Sequence, residues 1–161
     1  MLISATLNAA INSQIREELG NSSQYLAIAS YFDCEGLKLL AKIYYTQSAE
    51  EREHAMRFVK FVIDSGGKVE IPAVPAPRND FRSAEDAAQL ALDSEIRTTE
   101  QIYDLMTLAI GEKNYIATNA LQWFINEQLE EVSSAQARLA VIKRSGPNVL
   151  MVEAYLAHGG G

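Results

Sequence analysis

Four glutamates, Glu18, Glu51, Glu95 and Glu131, stand where a helical protein normally places aliphatic side chains. Each lies inside a stripe of apolar or small residues that repeats at alternating spacings of four and three. Burying an isolated ionised carboxylate costs several kcal/mol or more, so four that converge on one core need cations to hold them there. His54 follows Glu51 at i+3, which sets an imidazole nitrogen beside a carboxylate oxygen on one helix face. Two divalent cations balance four carboxylates; without metal, some of the four have to be protonated. An oxygen-rich set with one imidazole and no thiolate suits iron or manganese, and zinc fits the same ligands without redox chemistry. Iron is the metal this set favours. A single glutamate on such a seam is more often a flanking charge than a ligand, but four of them with a correctly spaced histidine reverse those odds. Small neighbours, Ser22, Ser48 and Thr99, are expected to leave room for water or dioxygen.

Positioning these groups takes four long helices. The first seam runs Ile11, Ile15, Glu18, Ser22, Tyr25, Ala29, Phe32, and the second runs Leu37, Ala41, Tyr44, Ser48, Glu51, Ala55, Phe58, Val62. Ser83 with Asp86 three residues on has the form of a capping box opening a third helix, with the seam Ala88, Leu92, Glu95, Thr99, Ile102, Met106, Ala109. A fourth helix, from about Lys113 to Arg144, carries Leu121, Phe124, Gln128, Glu131 and Ala135. Pro147 suits the first turn of a short fifth helix over 147–158, and the glycines of 159–161 form a flexible tail. The links near Gly36 and Gly111 are short, so each joins antiparallel neighbours. The middle link, residues 66–83, has no helical pattern and can extend roughly 60 Å, against about 40 Å for the second helix. The expected fold class is therefore all-α: a four-helix bundle over residues 5–145, with one long crossover between helices two and three and a short fifth helix, all in a single domain. Val69, Ile71, Val74 and Phe81 are the candidates to pin the crossover.

With 161 residues, 48% of them hydrophobic, the protein has enough length to bury one core and is too short for two ordinary domains. A net charge of −7 and no Lys/Arg cluster exclude nucleic acid and an anionic membrane as partners, and favour attraction of cations. The one cysteine, Cys34, rules out an internal disulfide framework and is read as a small buried hydrophobe. No apolar run reaches the roughly 20 residues of a membrane span, and the N-terminus is unlike a secretion signal. A cytoplasmic setting follows as the simplest expectation.

Three motifs are specific in combination. They are Asn12-Ser13-Gln14-Ile15-Arg16-Glu17-Glu18-Leu19 with Tyr25, then Glu50-Glu51-Arg52-Glu53-His54-Ala55, and Trp123-Phe124-Ile125-Asn126-Glu127-Gln128-Leu129-Glu130-Glu131. Through them the sequence resembles the bacterial non-haem ferritins over nearly its whole length. The resemblance implies a ferritin-like fold and a di-iron ferroxidase centre. Glu18, Glu51 and His54 then hold one iron, while Glu51 as a bridge, Glu95 and Glu131 hold the other, with Gln128 beside them. Tyr25 corresponds to a tyrosine that can supply an electron. Glu50, Glu127 and Glu130 match the glutamates that similar prokaryotic ferritins use for a third iron, against the plainer reading of solvated helix charge. The implied function is iron storage and detoxification: dioxygen or peroxide oxidises Fe(II), and ferric product mineralises inside a homo-oligomeric 24-mer.

Arg52 stands where haem-binding relatives place a methionine, and Ser134 where they repeat the histidine after Glu131, so no haem is expected. The stretch Asn114 to Ile125 lacks the carboxylates of an acidic threefold pore. Trp123 is read as packing and His158 as a surface or pore residue. Two alternatives stay open: a di-iron oxidase or oxygenase acting on a small organic substrate, and a structural bundle whose metals only neutralise the core.

Overall fold

The computed structural model describes residues 1–160, and in these the protein forms five helices and no strand. They are α1 (Ala5–Cys34), α2 (Lys38–Asp64), α3 (Ala84–Gly111), α4 (Tyr115–Ser145) and α5 (Leu150–Ala157). The first four make two antiparallel hairpins, α1 with α2 and α3 with α4, joined by the expected crossover.

Three helix starts are closed by their own side chains. Ser4 Oγ accepts from Leu7 N–H at 2.9 Å, Ser83 Oγ from Asp86 N–H at 3.1 Å, and Asn114 Oδ1 from Ala117 N–H at 3.0 Å. The expected capping box at Ser83 is only half formed, because Asp86 Oδ2 accepts from Arg82 N–H at 3.0 Å, one residue before the cap. At the start of α2, Leu37 has no polar side chain to serve as a cap. Glu153 of α5 supplies one instead: its two oxygens accept from Leu39 N–H at 2.8 Å and Leu40 N–H at 3.1 Å. A carboxylate at a helix N-terminus also meets the positive end of the helix dipole. This contact ties the fifth helix to the bundle.

Two boundaries differ from the sequence expectation. The turn between α3 and α4 is made not by Gly111, which is still helical, but by Lys113 at φ 55°. α5 starts three residues beyond Pro147, since the Asn148 and Val149 carbonyls accept in tight i→i+3 turns from Met151 and Val152 N–H at 3.1 and 2.9 Å. Gly159 and Gly160 close α5 through bonds to Leu156 O and Tyr155 O; Gly161 of the expected tail lies outside the described residues. Cys34 is exposed rather than buried, since the apolar stripe of α1 passes through Ala29 and Phe32 and leaves residue 34 off the seam.

The crossover is held chiefly by polar contacts from α1. Asn8 and Asn12 both donate to Lys68 O (3.1 and 2.8 Å), and Asn12 Oδ1 accepts from Glu70 N–H at 3.0 Å. Arg16 Nε donates to Ala73 O at 2.8 Å, and Gln24 bonds both the N–H and the carbonyl of Arg78 at 2.8 Å. These residues and Gly20, where an added Cβ would lie 3.2 Å from Pro75 Cδ, form one i+4 row along α1. Val69 and Phe81 pack against the core as expected, whereas Ile71 and Val74 are exposed.

The core is two apolar blocks. One holds Tyr25, Phe32, Leu40, Tyr44, Leu139 and Val152; the other holds Leu7, Ile11, Phe58, Ile102, Leu121 and Phe124. Between them in each helix lie the buried Glu18, Glu51, His54, Glu95, Gln128 and Glu131. Replacing Glu153 by Ala is expected to cost about 1–2 kcal/mol and to make the segment after residue 146 the first site of limited proteolysis. Lys113→Gly is expected to raise stability by about 0.5–1 kcal/mol in denaturant unfolding, since glycine adopts this backbone without strain.

Candidate metal centre

α1, α2, α3 and α4 contribute Glu18, Glu51, Glu95 and Glu131, and all four are at most 7% exposed. His54 is buried one turn beyond Glu51. Glu18, Glu51 and His54 form a set whose donor atoms lie within 4.8 Å of one another. His54 Nδ1 is 3.8 Å from both Glu18 Oε2 and Glu51 Oε1. Those two oxygens are the buried side-chain polar atoms that have no hydrogen-bond partner among the described residues. Buried oxygens without a donor are rare in folded proteins, and two of them facing an imidazole nitrogen fit a cation.

Five of the other six carboxylate oxygens, all but Glu131 Oε1, accept hydrogen bonds. Gln14 Nε2 donates to Glu18 Oε1 at 2.9 Å, and Asn21 Nδ2 to Glu51 Oε2 at 3.4 Å. Gln47 Nε2 donates to Glu131 Oε2 at 2.7 Å. Tyr25 donates its hydroxyl to Glu95 Oε1, while Gln128 Nε2 bonds Glu95 Oε2 at 3.1 Å and Thr99 Oγ1 at 3.1 Å. Tyr25 and Gln128 thus both contact the Glu95 carboxyl. Sequence reasoning misses the roles of Gln14, Asn21 and Gln47; the available signal was an amide residue near each glutamate on or beside its seam.

Burial pushes the Glu18 carboxyl up to about 7, and does the same to Glu131 with help from the Glu95 charge. Glu51 rises well above the usual carboxylate range through burial and the neighbouring Glu18 and Glu95 charges, and burial raises Glu95 as well. His54 moves the opposite way, down to about 4, because burial and the nearby Arg57 charge disfavour the imidazolium. Its imidazole is therefore neutral and able to ligate at physiological pH. Trp123 covers this imidazole edge-on at 5.4 Å, with the Arg57 guanidinium 3.7 Å over the indole, which is the packing role expected of it. Burial and the adjoining Glu95 keep Tyr25 protonated.

A second potential ligand set joins His54, Glu127 and Glu131. Glu127 Oε1 lies 3.8 Å from His54 Nε2. Glu50 is exposed, yet partial burial and the Glu127 charge raise its pKa; Glu130 is exposed and belongs to neither set. Ser22 and Ser48 face each other across α1 and α2. Each hydroxyl donates to the other residue's carbonyl, at 2.7 and 2.8 Å, clasping α1 to α2. His158 is exposed at the end of α5.

Comparison with known proteins gives the same picture. A family model described as a ferritin-like domain matches residues 8–145. Ferritin BfrB of Mycolicibacterium smegmatis is 41% identical over 150 residues, spanning 93% of this sequence and 83% of that protein. The bacterial non-heme ferritin of Staphylococcus aureus is 32% identical over 145 residues, or 90% and 87% of the two sequences. An open pore ferritin from the archaeon Archaeoglobus fulgidus superposes with a TM-score of 0.93 at 34% identity, covering 96% of each protein. With the bundle, the carboxylate seam and these relatives in agreement, the protein belongs to the ferritin family.

Proposed function

We propose that the protein stores iron in a ferritin cage and that the buried carboxylate layer is its ferroxidase centre, taking Fe(II) as substrate. The observation that carries this reading is the pair of partnerless buried oxygens, Glu18 Oε2 and Glu51 Oε1, aimed at His54 Nδ1. These three donors supply the first iron position. Glu51 serves as the bridge to a second position supplied by Glu95 and Glu131. The second position has no histidine, so the two irons are held unequally. Dioxygen accepts electrons from the paired ferrous ions, and the ferric product leaves the centre to mineralise.

The residues around the pair divide the remaining work. Tyr25 holds Glu95 from one side and Gln128 from the other, which fixes the direction from which that carboxylate approaches metal. Tyr25 is also the phenol best placed to supply an electron. Glu127, with Glu131 and His54, extends the donor set outward as a third iron position, and Glu50 adds its charge there. Glu130 is a weaker contributor.

Assembly into a homo-oligomeric 24-mer is supported by the large apolar side chains left exposed on a single subunit, among them Leu129, Tyr115, Ile110 and Tyr103. No helix of the described residues is long and apolar enough to cross a membrane. An exposed, unpaired Cys34 supports a reducing cytoplasmic location.

Adding Fe(II) in air to the assembled protein is expected to give a fast phase of oxidation ending at about two irons per subunit, followed by slower core growth. A monomeric or dimeric particle, or iron binding without oxidation, contradicts the storage reading. Glu51→Ala is expected to slow the fast phase about 100-fold or more, whereas Glu130→Ala leaves it nearly intact; equal losses would mean that Glu51 is not the bridge.

Stability should depend on pH in a set direction. Glu18 and Glu131 titrate near 7 when folded but near 4.5 when unfolded, so the folded protein holds extra protons between those values. Their contribution is full below about 4.5 and is lost as pH rises through 7. His54 opposes them, taking a proton near 6.5 unfolded but only near 4 folded, which removes stability as pH falls through that window. Carboxylates outnumber the imidazole, so metal-free protein is expected to melt several degrees lower at pH 7.5 than at pH 5.5. Zn(II)-loaded protein should show the reverse trend, because metal binding needs the ligands deprotonated.

A further inference from the structure

The hydrogen bonds onto the metal-centre carboxylates share one chemistry. Glu18, Glu51, Glu95 and Glu131 each accept from a primary amide, from Gln14, Asn21, Gln128 and Gln47 in turn. Among the described residues, no lysine or arginine forms a salt bridge to any of the four. An amide orients a carboxylate without cancelling its charge, so the negative charge that two divalent ions must meet is kept.

Asn21, like Gln128, is held by a threonine hydroxyl of α3 as well as by its carboxylate, and it alone serves Glu51. It is 5% exposed, and its Nδ2 places one hydrogen on Thr98 Oγ1 at 2.9 Å and the other towards Glu51 Oε2 at 3.4 Å. An ionised, metal-ligating carboxylate can only accept, so in that state the amide presents its nitrogen to Glu51. Thr98, itself 2% exposed on α3, fixes the amide independently of the carboxylate it serves. The three residues lie on three different helices, and Asn21 is the one amide that donates to Glu51 among the described residues.

We propose that Asn21, locked by Thr98, is the positioning residue of the bridging carboxylate. It holds Glu51 Oε2 to the α3 side and so leaves Oε1, the partnerless oxygen, facing His54 and Glu18. The Thr98–Asn21–Glu51 relay carries the register of α3, which supplies Glu95, into the first metal position on α1 and α2. The two metal positions are thereby set at one separation by a contact that touches no metal. This inference rests on the two-metal reading of the centre.

Co(II) titration of the assembled protein tests it, read by binding isotherm and by the visible spectrum of the bound ion, which reports ligand geometry. Wild type is expected to bind Co(II) at the centre. Asn21→Ala should weaken that binding about tenfold and change the spectrum. Thr98→Val, which keeps volume and loses the hydroxyl, should cause a smaller change in the same direction, and Thr98→Ser should restore wild-type behaviour. The double variant should be no weaker than Asn21→Ala alone, because both substitutions cut one relay. Unchanged affinity and spectrum in Asn21→Ala and Thr98→Val, or losses that add in the double variant, overturn the proposal. Should Asn21→Ala not assemble, the Thr98→Val and Thr98→Ser pair decides by itself. Failure of the wild type to bind Co(II) counts instead against the metal centre.

Discussion

Two carboxylate oxygens, Glu18 Oε2 and Glu51 Oε1, are buried in the middle of a helical bundle with no donor beyond a proton shared between their own carboxyl groups. Every other feature of the structure accommodates that cost. The helices on either side must be held tightly enough that the carboxyl groups cannot swing out to water. The apolar core does this from both ends, since it is split into two blocks with the polar layer between them. Collapse of either block alone would leave the charged layer at a frayed end; together they bracket it.

The connections serve the same constraint. α1 and α2 are clasped beside the centre by the reciprocal Ser22–Ser48 bonds, which lock their axial register where Glu18 and Glu51 must meet. The second hairpin has to be delivered to the same level from the far end of the molecule. The crossover does so while lying along α1, anchored in succession to the row Asn8, Asn12, Arg16 and Gln24. Polar anchoring suits a segment this exposed, because it satisfies backbone groups that no sheet or helix would otherwise pair. The Glu153 cap closes the N-terminal end of α2 in the same economical manner.

The ionisation pattern of the layer is set by burial. Four carboxyl groups are driven towards protonation and one imidazole towards neutrality, all by burial first. Divalent metal at the proposed centre would reverse the carboxylate shifts and leave the neutral imidazole as it is. A neutral amide collar orients the acidic groups without competing for their charge, whereas arginines in the same places would have satisfied the oxygens and removed the reason to bind metal.

What the residues alone determined was periodicity and cost. Helical spacing placed Glu18, Glu51, Glu95 and Glu131 on apolar stripes, and the expense of burying charge named metal as the remedy; the long link fixed the crossover by length alone. Spacing along one helix, however, says nothing about which side group on another helix will approach. The partners Gln14, Asn21, Gln47 and Thr98, the cap from Glu153, and the row that pins the crossover depend on contacts that mostly join residues far apart in sequence. The left-handed Lys113 was also set by how the backbone turns between helices, not by propensity. A period identifies the face that must be buried, but only the packed bundle, by fixing distances between faces, decides which atoms meet there.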